Sequence, residues 1–272
     1  MKILAFSNLH SRVDEFKELM SDIQKEHRLN SFDKIIFLGD YTYYGRKNVE
    51  MIEYLLKLKK ENENIIFLLG NWEYFMGVLE YSHDTNLKEQ YYQFFVQFGQ
   101  AKALAEIQKN TSLYQDWMEE IKKMKNYHVE GDMIFSHAGV DISRWRSWMK
   151  LDDFMKLHDR DDLLLDTTFH LPLLSYWISH ITTLQDIYDP FPYTFVFGQT
   201  AINKILNVDK SVKFNEPFHL GNGYGIDFGG IYTKGRIGGV IFSNKGTRTY
   251  VRDVKQTPYK KKPTYQKTVH SQ

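Results

Sequence analysis

The 272-residue sequence contains no cysteine. This absence excludes disulfide bonds, thiolate metal ligands and a thiol nucleophile, and it is typical of a reducing cytosol. Long apolar runs are also missing, because the first run ends at polar Ser7 and Asn8 and no later run approaches the roughly 18 residues that cross a membrane. We therefore expect a cytoplasmic protein without a membrane partner, in which any metal ligands are His, Asp and Asn side chains.

An excess of charge of either sign is missing as well. The chain has 35 basic and 34 acidic residues, so no overall field draws it to nucleic acid or to anionic lipid. Aromatic residues, by contrast, make up 15% of the chain, and hydrophobic residues make up 42%, enough to fill a core. The aromatic residues fit either stacking platforms for single-stranded nucleic acid or a core, and their periodic spacing favours the core.

The N-terminal third alternates between apolar runs and helical patterns. The runs at 2–6, 34–38 and 65–69 are predicted strands, and the segments between them carry apolar residues at helical spacing. This order predicts a parallel sheet, in which ligands bind beyond the carboxyl ends of the strands. Each run ends in a polar cluster, and the clusters are Asn8 with His10, Gly39-Asp40 and Gly70-Asn71. We expect these clusters to meet at one edge of the sheet.

The middle of the chain predicts a helical insertion and two further strands. Residues 86–126 have an amphipathic helical pattern. Apolar runs return at 132–136 and 194–197, and they are followed by His137 and by Gly198-Gln199. The last third predicts an antiparallel meander that closes a second sheet, with strands at 223–228, 238–243 and 247–251.

The C-terminal residues differ in composition from the rest. Beyond Asp253 the chain is polar and lysine-rich, and it lacks the apolar content that packing requires. The predicted organisation is one domain over residues 1–253, with a helical insertion at about 81–130, followed by a basic, disordered tail over residues 254–272.

Five sequence blocks stand at the ends of the predicted strands. They are Asn8-Leu9-His10, the segment 39–45, Gly70-Asn71-Trp72-Glu73, His137-Ala138-Gly139 and Gly198-Gln199. With these blocks the sequence resembles the calcineurin-like metallophosphoesterases, in particular the bacterial and phage serine/threonine-phosphatase branch. The family blocks read D-x-H, G-D-x-x-D-R-G, G-N-H-E, H-A-G or H-G-G, and G-H. The resemblance spans residues 1–252 and implies an α/β (α+β) fold, with two mixed β-sheets packed in a sandwich, flanking helices and a helical insertion.

The resemblance also implies a site for two divalent cations bridged by one carboxylate. Such a pair orients a phosphate and lowers the pKa of a bound water. Carboxylate, imidazole and amide ligands suit manganese, iron or zinc better than calcium. Carried over by position, the ligands are Asn8, His10 and Asp40 for the first ion, and Asp40, Asn71, His137 and Gln199 for the second.

Two of these ligand positions depart from the family pattern. Asn8 stands where the family has Asp, and Gln199 stands where it has the final His. Replacing a carboxylate by a neutral amide removes charge compensation, and changes beyond the ligands alone lower affinity by about 10- to 100-fold. We expect one weakly bound divalent metal or none. The alternative for His10 and His137 is a structural role as hydrogen-bonded side chains at the sheet edge, and the alternative for Asp40 is to cap the following turn.

The catalytic positions depart further. Trp72 stands at the position of the family's proton-donating His, and Tyr43 and Tyr44 stand where the family has the Asp that orients this His and the Arg that clamps phosphate. Arg46, just beyond Gly45, is a candidate anion-binding replacement. The three aromatic side chains either fill the vacated pocket or form a new binding surface, and we favour filling.

The joint loss of these residues predicts a pseudophosphatase, inactive as an enzyme, that acts as a binding or regulatory protein. The expected partner is a protein, or else a phosphorylated ligand or nucleotide. One alternative is a weak or specialised metal-dependent phosphoesterase that works around one cation. The other is a nucleic-acid or nucleotide binder that stacks bases on the segment 144–146 and Trp148, against which the near-neutral charge argues.

Overall fold

The computed structural model describes residues 1–139, 146–156 and 192–255. These residues form ten strands, eight α-helices and one 3₁₀ turn at Leu29–Ser31, and no helix among them is long and apolar enough to cross a bilayer. The strands are β1 (Lys2–Phe6), β2 (Lys34–Phe37), β3 (Ile65–Phe67), β4 (Tyr127–Glu130), β5 (Met133–Ser136), β6 (Thr194–Phe197), β7 (Phe218–Leu220), β8 (Gly223–Gly225), β9 (Arg236–Ser243) and β10 (Gly246–Asp253). The helices are α1 (Val13–Glu26), α2 (Asn48–Glu61), α3 (Asn71–Tyr81), α4 (Thr85–Gln97), α5 (Ala101–Lys109), α6 (Thr111–Ile121), α7 (Leu151–Lys156) and α8 (Ile202–Ile205).

The first sheet has the strand order β10-β9-β1-β2-β3. Strands β1, β2 and β3 are parallel, as the alternating pattern predicts, and β9 pairs with β1 antiparallel. One face of the sheet packs against the apolar stripes of α1 and α2, which include Phe16 and Leu55. This cover is needed because the parallel strands are apolar on both faces.

The second sheet has the strand order β4-β5-β6-β8-β7. Ala5 and Ile36 of the first sheet share a buried cluster with Phe135 and Val196 of the second. The two sheets therefore pack face to face as a sandwich. The predicted α/β fold with two mixed sheets is confirmed.

The prediction that the last third closes the second sheet as one meander is wrong. Strand β8 lies in the second sheet with β7, which the sequence did not indicate, whereas β9 and β10 lie in the first. The reason is steric: a Cβ at Gly239 would lie 2.4 Å from the Phe6 ring, and one at Gly238 would lie 2.3 Å from the Phe228 ring. The two glycines make room for these rings, so β9 fits beside β1.

Two predicted boundaries also shift. Residues 127–130 form β4, paired with β5, so the helical segment ends at Ile121. The packed chain continues past Asp253, because Val254 is buried and the Lys255 backbone N–H donates to Oε1 of Glu15 at 2.8 Å. The remainder of the predicted tail, 256–272, lies outside the described residues.

Candidate functional site

The polar ends of the strands meet at one edge of the sandwich. The Asn8 backbone N–H donates to the Gly39 carbonyl at 3.2 Å, and the Gly198 N–H donates to the His137 carbonyl at 2.8 Å. The structure thus brings together all six predicted ligand residues, each within hydrogen-bond distance of another: Asn8, His10, Asp40, Asn71, His137 and Gln199. We call Asn8, His10 and Asp40 the first half-site, and Asp40, Asn71, His137 and Gln199 the second half-site.

Glycine permits the close approach of the loops after β2 and β3. A Cβ at Gly70 would lie 2.4 Å from the backbone nitrogen of Asp40 and 2.6 Å from Oε2 of Glu73. A side chain at position 70 would therefore push the Asp40 backbone out of place, so the site requires glycine there.

Replacing Gly70 by Ala should lower the free energy of unfolding by about 1–3 kcal/mol or more, because the clashing atoms belong to backbone and to a buried carboxylate. The matched control is Gly77→Ala inside α3, where the nearest atom to a Cβ is Cγ2 of Ile121 at 3.8 Å. That variant should gain about 0.5–1 kcal/mol from helix propensity. Urea unfolding measures both, and equal effects of the two substitutions would contradict the close approach at Gly70.

The loops of the site carry strained backbone. Eight non-glycine residues in the described ranges have positive φ, and seven of them lie at the ends of β1, β2 and β6: Asn8, His10, Ser11, Asp40, Tyr43, Tyr44 and Gln199. Asn and Asp adopt this conformation readily, whereas other side chains pay about 1–2 kcal/mol for it. Strain of this kind concentrates at ligand-binding and active sites.

Asp40 is the centre of the site. Its Oδ2 faces the side chains of Asn8 and His10, at 3.3 and 4.0 Å. Its Oδ1 accepts from the backbone N–H of Trp72 at 3.3 Å and lies 3.5 Å from Nε2 of His137. The carboxyl group therefore directs one oxygen to each half-site. Burial raises the pKa of Asp40 to about 8.

Both histidines point Nε2 at this carboxyl group. Nδ1 of His137 lies 2.8 Å from the carbonyl oxygen of Leu38, and Nδ1 of His10 lies 3.4 Å from that of Thr42. Burial lowers the pKa of His10 to about 3 and also lowers that of His137, so both rings are neutral. With the proton on Nδ1, each Nε2 carries a lone pair, which is the usual arrangement of a metal-ligating histidine.

Asn8 closes the first half-site with a hydrogen-bond donor. Its Oδ1 accepts from the backbone N–H of Gln199 at 2.9 Å and from the hydroxyl group of Ser7. This orientation turns Nδ2 towards Oδ2 of Asp40, at 3.3 Å, and Nε2 of His10, at 3.4 Å. The NH₂ group thus satisfies the two atoms that a first cation would bind, and it has no lone pair to offer a metal. The first half-site does not fit a cation.

The second half-site gathers electron-rich atoms. The side-chain oxygen of Asn71 lies 3.1 Å from Nε2 of His137, 3.2 and 3.3 Å from the carboxyl oxygens of Asp40, and 2.7 Å from Oε1 of Gln199. Either a rotated amide that places NH₂ at this point or a cation shared by these atoms resolves the repulsion. Carboxylate, imidazole and amide oxygen suit manganese, iron or zinc. With the oxygen of Asn71 at this point the second half-site offers ligands for one cation, whereas the rotated amide would fill it with an NH₂ group, as Asn8 fills the first.

This ligand set is a weak one. In the three described ranges, no group of three or more His, Asp or Glu side chains is placed to hold an ion. An ion in the second half-site would take amide oxygens from Asn71 and Gln199, and only Asp40 would supply negative charge. Weak affinity follows from this shortage of anionic ligands.

An aromatic cluster forms around Trp72, Tyr43 and Tyr44, the residues that the resemblance assigns to catalytic positions. Trp72 is only 3% exposed, and its ring centroid lies 4.7 Å from that of Tyr43 and 5.3 Å from that of Phe95 in α4. Tyr44 is half-buried between Trp72 and His10, with centroid distances of 5.5 and 5.2 Å. These contacts agree with the filling interpretation. They place no acid beside Asp40 at the positions where the family has one.

Two further buried carboxyl groups, Glu73 and Asp227, lie close enough to Asp40 to affect its charge or its loop, although the sequence analysis assigned them no role. Glu73 accepts from the backbone N–H groups of Asp40 and Tyr41, at 2.9 and 3.1 Å, and so holds the loop after β2. Asp227 accepts from the Gly229 N–H at 2.8 Å. Burial raises the pKa of each carboxyl group to about 7. The sequence offers one sign of each role. Glu73 is the last residue of the block Gly70-Asn71-Trp72-Glu73, and Asp227 is an acidic residue inside an apolar run.

The remaining predicted residues lie apart from these contacts. Arg46 is exposed on the loop before α2, and its anion-binding role stays a prediction. Trp148 is 80% exposed. Arg144 and Trp145, proposed with it as a stacking segment, lie outside the described residues.

Comparison with known proteins gives one family. A family model described as calcineurin-like phosphoesterase matches residues 1–198, more than two thirds of the chain. The matched range contains the blocks at Asn8, Asp40, Asn71 and His137 and reaches Gly198. No curated protein matches the sequence.

Solved structures of phosphatases resemble the fold at low sequence identity. A cold-active protein-tyrosine phosphatase of a psychrophilic Shewanella species is 15% identical, with 93% of this chain and 80% of that chain covered and a TM-score of 0.52. A putative diadenosine tetraphosphatase is 12% identical, with 92% and 93% covered and a TM-score of 0.50. A serine/threonine phosphatase from Saccharomyces cerevisiae is 10% identical, with 95% and 82% covered and a TM-score of 0.50. At these identities the likeness shows the fold alone.

Proposed function

Because the chain belongs to the calcineurin-like phosphoesterase family, we propose that it is a pseudophosphatase, a phosphoesterase scaffold that binds a partner and has lost the hydrolysis of its relatives. Two-metal hydrolysis needs a cation in each half-site to activate water and to stabilise the leaving group. One observation carries the proposal: the NH₂ group of Asn8 is hydrogen-bonded where the first cation would bind.

The catalytic layer supports the same conclusion. The indole of Trp72 neither gains nor loses a proton near neutral pH, so it cannot take the place of a general acid or base. Tyr43 is fully buried, and its hydroxyl group has no hydrogen-bond partner among the described residues. Neither side chain offers the charge or the proton that a phosphate ester needs in order to break.

The strained loops indicate that the crevice still binds a ligand, rather than having no function. Side chains such as His10, Tyr44 and Gln199 keep left-handed backbone conformations, each at a cost to stability. Strain is retained where the conformation is used. The crevice therefore keeps its shape for a ligand although its chemistry has changed.

The second half-site would hold the ligand-binding cation, through Asp40, Asn71, His137 and Gln199. Such an ion would supply positive charge to an anionic ligand. Arg46 directly follows Gly45, and the backbone of Gly45 packs against the carbonyl group of His10 in the first half-site. A second positive charge therefore lies on the loop next to the crevice. We propose a protein partner that presents a phosphorylated group to this crevice.

Hydrolysis assays test the proposal. The purified chain with Mn²⁺ should turn over p-nitrophenyl phosphate or a phosphopeptide no faster than its Asp40→Asn variant. Ordinary phosphatase turnover, with a kcat of roughly 1–10³ s⁻¹, that disappears in Asp40→Asn would overturn it.

A weak metal-dependent phosphoesterase is the second candidate, and the fit of one cation to the second half-site favours it. Slow turnover that saturates with Mn²⁺ and is lost in both Asp40→Asn and His137→Ala would support this candidate. Slow turnover that survives both substitutions would point to a contaminating enzyme.

A further inference from the structure

The loop between α8 and β7 exposes three aliphatic side chains. Residues 206–213 are all exposed, and within them Leu206, Val208 and Val212 keep 45, 41 and 43% of their surface in solvent. Three exposed aliphatic groups within seven residues of one loop make it a candidate docking surface.

Hydrogen bonds hold this loop in one shape. The side-chain amide of buried Asn203 donates to the carbonyl groups of Asp209, at 3.1 Å, and Val212, at 2.5 Å. The Val208 N–H donates back to the Asn203 carbonyl at 2.9 Å, and the Asp209 carboxylate accepts from the Ser211 N–H at 2.8 Å. The loop is thus closed on itself, and its aliphatic side chains are held outward.

Lysines surround the aliphatic side chains. Residues 204–213 contain three lysines and one acidic residue, a local net charge of +2 in ten residues, whereas the whole chain carries +1. Lys213 is paired with the Asp253 carboxylate at 2.7 Å, so Lys204 and Lys210 carry the loop's unbalanced positive charge. Hydrogen bonds from Ser211 lower the pKa of Asp209, and Lys210 and Lys234, the latter on the neighbouring loop, lower it further. The ammonium group of Lys210 lies 5.4 Å from the Tyr232 ring centroid on that same loop. The balanced charge of the chain therefore conceals a basic patch.

We propose that this lysine-aliphatic loop, residues 204–213 together with Lys234, docks on the surface of an anionic lipid bilayer. The lysines would lie at the negative headgroups, and Leu206, Val208 and Val212 would enter the boundary between headgroups and acyl chains. The pattern favours lipid over protein because a bilayer accepts apolar side chains in any arrangement, whereas a protein surface must offer a matching apolar site beside acidic groups. The expected lack of a membrane partner rested on the overall charge and on the absence of long apolar runs, and neither describes this loop.

The base of this loop is connected to the crevice. A Cβ at Gly229 would lie 3.4 Å from Oδ1 of Asn203, at the base of the loop, and one at Gly230 would lie 2.6 Å from the Asn8 carbonyl in the first half-site. The loop and the crevice are therefore joined through two neighbouring glycines. The inference does not depend on the loss of hydrolysis.

Vesicle co-sedimentation of the full chain tests the proposal. The protein should bind vesicles of phosphatidylcholine mixed with phosphatidylserine, bind poorly to phosphatidylcholine alone, and bind less as salt rises. The variant Lys204→Gln/Lys210→Gln/Lys234→Gln should bind more weakly by about fivefold for each lysine, on the order of a hundredfold in all. The variant Leu206→Ser/Val208→Ser/Val212→Ser should lose most binding at unchanged charge.

Matched controls are available elsewhere on the surface. Val96 is 48% exposed on α4, and Lys25, Lys57 and Lys60 are exposed on α1 and α2. Two control variants should bind these vesicles as the natural chain does. One is Val96→Ser, and the other changes Lys25, Lys57 and Lys60 together to Gln. Circular dichroism and thermal unfolding should show every variant folded, since the changed side chains are exposed. The proposal fails if the natural chain binds no phosphatidylserine vesicle, which would reassign the loop to a protein partner, or if both loop variants bind unchanged.

Discussion

Replacing Asn8 by Asp is expected to make the stability of this protein depend on a divalent metal. The new carboxyl group would keep the hydrogen bond from the Gln199 N–H, but its second oxygen would take the place of Nδ2, which lies 3.3 Å from Oδ2 of Asp40. Two buried carboxyl groups this close do not both ionise without a cation between them. Without metal the variant should therefore be less stable than the natural chain, by about 1–3 kcal/mol.

With metal the same variant should recover and exceed this loss. A Mn²⁺ concentration 100 to 1,000 times the dissociation constant adds about 2.7–4.1 kcal/mol to the free energy of unfolding. Thermal unfolding in EDTA and in Mn²⁺ measures the difference, which should be much smaller for the natural chain. The matched control is Asn207→Asp, an exposed Asn that also has positive φ, at 51°. If Asn8→Asp behaved like Asn207→Asp, the assignment of the first half-site would be wrong.

The second large effect is expected at Trp72. Its ring is buried among Tyr43, Phe75 and Phe95, so truncation to Ala removes a large apolar side chain and leaves a cavity. Trp→Ala changes in cores cost about 3–5 kcal/mol. Urea unfolding should show a loss of this size in Trp72→Ala.

Trp148 provides the control for this prediction, because it is 80% exposed. Trp148→Ala should change the free energy of unfolding by no more than about 0.5 kcal/mol. A small loss in Trp72→Ala would mean that the aromatic cluster is a binding surface rather than packing. Changed binding of a phosphorylated ligand with unchanged stability would support that alternative.

The strands and helices of the N-terminal half could be predicted because their signals are local. Apolar runs such as residues 2–6 and 34–37 alternate with helical patterns, and that alternation favours a parallel sheet. The convergence of His10, Asp40 and Asn71 follows from the same topology, since the carboxyl ends of parallel strands share an edge. The departures at Trp72 and Gln199 can likewise be found by comparing short blocks of sequence.

The placement of the C-terminal strands could not be predicted in this way. Strand β9 carries apolar residues on both faces, a pattern that fits a central strand of either sheet. It lies in the first sheet because the Phe6 ring packs where Gly239 has no side chain, a contact between residues far apart in the sequence. The role of Glu73 was missed for a similar reason, because its partners are backbone N–H groups of another loop.

By itself the sequence determined the family, the alternation of strands and helices in the N-terminal half, and which chemical groups stand at the strand ends. Only the tertiary structure decided how these groups behave. The amide of Asn8 turns its NH₂ towards Asp40 because the N–H of Gln199, 191 residues away, takes its oxygen. Burial keeps the histidines of the site neutral and raises the pKa of Asp40. Orientation and burial depend on the whole packed chain, so no local pattern of residues contains them.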